Sequence, residues 1–150
     1  MQSGIDMVHV PYKGSAPAIT DLISGQIQII FDAATSSLPQ VRAGKLHVLG
    51  VTSLQRASGT PDIPAIAETV PGYDASVWFA IVAPAGTPAT IVSRLSVEIN
   101  EIVKNPALRE RYRSNGVELS GSTPEGLAAQ MQTDLTKWTS IQRQAGVKPE

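Results

Sequence analysis

Three short runs rich in β-branched and apolar residues open the chain. Met7-Val8-His9-Val10, Ile27-Gln28-Ile29-Ile30-Phe31 and His47-Val48-Leu49-Gly50-Val51 recur at a regular interval and have the length and composition of strands. Between the first two, Ser15-Ala16-Pro17 offers a hydroxyl cap and a proline in a first helical turn. Ile19, Leu22 and Ile23 supply an apolar face, and Gly25 stops the helix. Between the second and third runs, Ser36 or Ser37 can cap a short helix through Pro39 and Val41 that ends at Gly44. Strands joined by helices lie parallel with right-handed crossovers, so the first fifty residues predict a parallel βαβαβ unit in an α/β fold.

The pattern changes after Thr52. Residues 52–75 are punctuated by Pro61, Pro64, Pro71 and Gly72 and read as loop, and Val77 to Ala83 reads as a buried strand cut off by Pro84-Ala85-Gly86. Trp78-Phe79 within it is expected to be mainly core. Thr87-Pro88 and Thr123-Pro124 each place a hydroxyl before a proline and predict two longer helices. Ile91, Val92, Leu95, Ile99, Ile102 and Val103 form the apolar face of the first, and Leu127, Met131, Leu135, Trp138 and Ile141 that of the second. A short basic helix from Pro106 to Asn115, with Arg109, Arg111 and Arg113 spread over a solvated surface, and a short strand at Val117-Glu118-Leu119 complete the set.

Composition narrows the function classes. Twelve Lys+Arg against 13 Asp+Glu give a formal net charge of -1 over 150 residues, which is not the footprint of a nucleic-acid or anionic-membrane binder. The absence of cysteine removes disulfides, thiol nucleophiles and cysteine-ligated metals. His9 and His47 fall on predicted strands with no third ligand and no relay partner, so the sequence points to no metal, no cofactor and no catalytic constellation. Met1 to Asp6 has no basic, apolar signal pattern, and no apolar run approaches the ~18 residues of a membrane span.

In an open α/β sheet, ligands bind beyond the carboxyl ends of the strands, where helix N-termini converge. That rule selects the loops Pro11 to Pro17, Asp32 to Ser37 and Thr52-Ser53. Lys13-Gly14-Ser15 is the most informative: Gly14 permits close approach or positive φ, Ser15 brings a hydroxyl, and the helix start that follows suits a carboxylate. The same residues also make an ordinary capped loop. Asp32 can accept a hydrogen bond from a ligand hydroxyl, amino group or water, or it can cap the turn that follows. Tyr12 can wall a pocket or pack in the core.

These residues carry a resemblance. Val8-His9-Val10-Pro11-Tyr12-Lys13-Gly14-Ser15-Ala16-Pro17-Ala18, then Leu22 to Gln28 and Phe31-Asp32, resemble the signature of the Bug-type receptors, the extracytoplasmic substrate-binding components of tripartite tricarboxylate transporters. Gly44-Lys45-Leu46, Val51-Thr52-Ser53, Pro71-Gly72-Tyr73, Trp78-Phe79, Val82 to Pro88 and Trp138 to Gly146 continue it along nearly the whole chain. Ala80 and Ala33 depart from the family pattern.

The resemblance implies a truncated, two-lobed periplasmic binding protein of the type II class, of which this is the C-terminal half. Residues 1–83 would form most of one ligand-binding lobe, and residues 84–150 the crossover and the helices that normally pack on the other lobe. It further implies a periplasmic, non-enzymatic receptor that captures a small carboxylate for membrane transporter subunits. Tyr12, Gly14, Ser15, Ala16 and Asp32 are its candidate ligand-binding residues. An alternative is a non-ligand-binding interaction module or sensor partner, domain-swapped into a homo-oligomer through the exposed helical face.

Overall fold

The computed structural model describes residues 4–146. Five α-helices follow one another: α1 at Ser15–Ile23, α2 at Ala34–Arg42, α3 at Ala89–Ile102, α4 at Pro106–Arg113 and α5 at Pro124–Ala145, with a single 3-10 turn at Ile66–Glu68 between α2 and α3. The chain divides into two compact units. One takes residues 4–80 together with Arg109–Leu119, and the other takes Ile81–Leu108 together with residues 120–146.

In the first unit, α1 packs on α2. Ala18 and Ile19 on α1, Leu38 on α2, and Ala65 are the buried apolar residues among those described. Gly25 and Gly44 follow the two helices with positive φ, as their places after the last turn predicted. Gly116 sits against α2 so closely that a Cβ there would lie 2.6 Å from Ala34 Cβ and 2.9 Å from Leu38 Cδ1. The Arg42 guanidinium donates to the Ser114 carbonyl, which holds the segment after α4 to the end of α2.

A second junction joins Gly50-Val51 to residues 64–66. Val51 and Ala65 form a parallel bridge, with Val51 N donating to Pro64 O at 2.9 Å and Ile66 N donating to Val51 O at 3.0 Å. Arg56 clamps the 3-10 turn through a two-pronged contact, Nε to Glu68 Oε1 at 2.7 Å and Nη2 to Glu68 Oε2 at 2.8 Å. Glu68 Oε1 also accepts from Ala65 N at 2.9 Å, so Arg56 and then the backbone amide hold this carboxyl down at about 2. In the second unit α3 packs on α5. Asn100 Nδ2 ties α3 to the α5 approach by donating to Ser122 O at 2.9 Å.

The helices appear in the expected order, but the βαβαβ ladder does not. Among the described residues the Val51–Ala65 bridge is the β pairing found, and Met7–Val10, Ile27–Phe31, Val77–Ala83 and Val117–Leu119 form no strand. Alternation of side chains gives a segment the faces of a strand, whereas a ladder also needs a neighbour at hydrogen-bonding distance, and these segments do not supply one to each other. The expectation that Val77 to Ala83 is buried is likewise corrected: Phe79 is 85% exposed, and Val77, Ile81 and Val82 are exposed with it. The apolar faces foreseen on α3 and α5 are open at Ile91, Leu95, Leu135, Trp138 and Ile141.

Candidate functional site

The starts of α1 and α2 meet at one carboxylate. Asp32, half-buried and just ahead of α2, accepts from Ser15 Oγ through Oδ1 at 2.5 Å and from Ser37 Oγ through Oδ2 at 2.5 Å. Ser15 is the first residue of α1 and Ser37 lies in the opening turn of α2, so one side chain connects both helix starts. Neither start has a side-chain cap or an acidic residue in its first turn. The opening N–H groups of a helix have no partner within it and carry partial positive charge, so this junction is suited to an anion. By contrast α5 is capped, Thr123 Oγ1 accepting from Gly126 N at 3.0 Å.

Gly14 precedes α1 with φ 123° and ψ 175°, a conformation essentially reserved for glycine. A Cβ there would meet nothing within 4 Å, so it is the backbone angle, not crowding, that calls for glycine, and open space lies over the loop. Ala16 is exposed in the first turn, and Pro17 behind it brings no N–H of its own.

Tyr12 stands apart from the Asp32 junction in its bonding. Its hydroxyl donates to Asp21 Oδ2 at 2.8 Å, which braces the loop against the last turn of α1, and the Asp21 carboxylate raises the Tyr12 pKa by holding that proton. Of the five candidate residues, Ser15 and Asp32 are therefore in direct contact. Gly14 and Ala16 flank Ser15 in the chain, and Tyr12 has a bracing bond of its own.

Two local expectations are revised. Ser15 was expected to cap α1 and instead is its first helical residue, its hydroxyl drawn to Asp32. Ser36 or Ser37 was expected to cap α2, which begins earlier, at Ala34, and leaves Ser37 inside the helix with its hydroxyl on Asp32. Ser37 is the residue that the sequence reading left out of the site. Its signal is a hydroxyl five positions after an acid at a helix start, which one turn of helix folds back toward the acid. His9 and His47 are exposed, and no metal-holding group of His, Asp or Glu occurs among the described residues. An open depression along α5, lined by Leu135, Thr139 and Arg143, contains none of the candidate residues.

Comparison with known proteins gives the family of the chain. The model of the tripartite tricarboxylate transporter family receptor matches residues 1–147. The chain belongs to that receptor family. A relative from Pseudomonas sp. strain P51, the UPF0065 protein in the tcbD-tcbE intergenic region, is 35% identical over 142 residues, covering 93% of this chain and 42% of its own length. BugT of Bordetella pertussis is 31% identical over 149 residues, covering 99% of this chain and 46% of its own. The chain thus spans somewhat less than half of these two relatives.

Solved structures agree. R. palustris Rpa4515 with adipate superimposes with a TM-score of 0.93 at 32% identity, over 99% of this chain and 50% of that one. The periplasmic binding protein BugD gives 0.84 at 31% identity, over 98% and 50%. MatC from Rhodopseudomonas palustris with bound malate gives 0.75 at 27% identity, over 91% and 48%. This receptor-family chain therefore has the fold of half of a periplasmic binding protein.

Proposed function

We propose that the chain is the C-terminal half of a periplasmic, non-enzymatic receptor that captures a small carboxylate for delivery to membrane transporter subunits. The observation that carries this reading is the convergence of two uncapped helix starts, α1 and α2, on the Ser15–Asp32–Ser37 junction. The neighbours' ligands, adipate in one and malate in another, support the carboxylate class. Gly14, Ser15 and Ala16 lend backbone N–H groups to the ligand, Asp32 orders the hydroxyls beside them, and Tyr12 braces the loop. Residues 1–83 belong to one ligand-binding lobe of a type II receptor, and residues 84–150 carry the helices that serve the other, except that Arg109–Leu119 returns to the compact unit of α1 and α2. Strands supplied by the rest of such a receptor would give the extended segments their missing neighbours.

Replacing Ser15 by tryptophan places a large ring at the helix start. Calorimetry with a panel of di- and tricarboxylates is expected to show at least tenfold weaker binding in Ser15→Trp, and unchanged affinity removes this loop from the site. A second reading is favoured by one observation, the exposure of Val8, Phe79 and Ile81. On that reading the chain is an interaction module that exchanges elements with another copy and binds no solute. Thermal-shift measurements separate the two, because a ligand that binds only the folded state raises the melting temperature and an interaction module shows no such rise.

A further inference from the structure

The bonding of Asp32 decides which hydrogen-bonding character the junction turns toward a ligand. Both 2.5 Å contacts are donations from a serine hydroxyl to a carboxylate oxygen of Asp32. A serine hydroxyl owns a single proton, and Ser15 and Ser37 have each spent it there. Lone pairs remain on both hydroxyl oxygens and on the Asp32 oxygens, and these three groups are half-buried, within reach of a solute. Beside this acceptor face stand the opening N–H groups of α1 and α2, which only donate.

We propose that Asp32 is a specificity-determining residue: by taking the protons of Ser15 and Ser37 it makes an acceptor-only face that selects carboxylates bearing a neighbouring hydrogen-bond donor, a hydroxyl or an ammonium. The inference rests on the carboxylate reading above. A carboxylate group satisfies the N–H groups, and the donor on the adjacent carbon satisfies the acceptors. A plain dicarboxylate sets a methylene against them, leaving desolvated acceptors unpaired, and sites built to hydrogen-bond a substituent discriminate strongly against the analogue lacking it.

Calorimetry on the full chain with L-malate, L-aspartate and succinate tests this, since the three differ only in the substituent on one carbon. At least one of L-malate and L-aspartate is expected to bind tenfold or more tightly than succinate. In Asp32→Asn the side-chain amide donates to one serine and frees that serine's proton, which replaces acceptors by donors, so the ratio is expected to fall below about threefold through loss of L-malate and L-aspartate affinity. Ser37→Ala removes one acceptor while keeping the aspartate, and is expected to narrow the ratio as well. It also serves if Asp32→Asn does not fold. Equal binding of all three by the unaltered chain overturns the inference and leaves the receptor reading standing. A ratio unchanged in every variant that folds does the same. Absence of binding by any di- or tricarboxylate overturns the receptor reading, and the inference falls with it.

Discussion

Gly14 and Asp32 do different work, one ahead of α1 and the other ahead of α2. The angles at Gly14 are open to glycine alone, so Gly14→Ala is expected to cost about 1–3 kcal/mol in strain even though the space over it is empty. Urea unfolding of the two forms measures that difference. This requirement was legible in the sequence, because a glycine between a strand-like run and a helix start is the residue that permits such a turn. The Ser15 partner of Asp32 was not legible. Ser37 lies one helical turn from Asp32, but Ser15 reaches it only when α1 packs on α2, and a hydroxyl at a helix start looks the same whether it will cap its own backbone or bond an acid 17 positions away. Glu68 has the same character, since the guanidinium that holds it comes from Arg56, across a loop. Its pKa lies below that of an unfolded glutamate, so its contribution is present above the unfolded value near 4.5 and is lost as pH falls from there toward about 2. Melting temperature followed between pH 5 and pH 2 is expected to decline in that window, less steeply in Glu68→Gln. The effect is expected to be small, because the Arg56–Glu68 pair is about half exposed.

Helices were easier to read than strands at the level of elements, for a reason visible in α5. Its start is written locally: Thr123 accepts from Gly126 N, Pro124 occupies the first position and Gly146 closes the far end with φ 67°. Thr123→Ala is expected to destabilise the helix by about 1 kcal/mol, read as a lowered melting temperature in far-UV circular dichroism. Where the hydroxyl found another partner, the boundary moved. Thr87 donates to Pro84 O at 2.9 Å and leaves Pro88 at the head of α3. Strands differ because their bonds are not local. Val77 to Ala83 is apolar enough for a buried strand, yet nothing in its own residues specifies what lies beside it, and Phe79 and Ile81 are open to solvent.

With four buried apolar residues among those described, and with Val8, Phe79, Ile81 and Val82 outside, the chain shows more apolar surface than a monomer ordinarily leaves exposed. The full chain on its own is expected to bind a fluorescent hydrophobic probe such as anilinonaphthalene sulfonate and to associate as its concentration rises, seen by light scattering. A monodisperse monomer without probe binding would contradict this. Membership of the receptor family was legible from ordered motifs along nearly the whole chain, and the family match over residues 1–147 agrees with it. The identity of the ligand was not; on the inference drawn above it turns on where protons sit among a few side chains, which no motif encodes.

The contact between Gly116 and α2 also bears on the order in which the protein is made. The first unit is not continuous: Ile81–Leu108 passes into the second before Arg109–Leu119 returns to it. During synthesis α1 and α2 emerge ahead of α4, and the surface of Ala34 and Leu38 waits for Gly116 until the residues after α4 have followed. A gene fragment ending at Ala80 would therefore leave that surface bare, and cutting the molecule at its middle does not yield two self-sufficient halves.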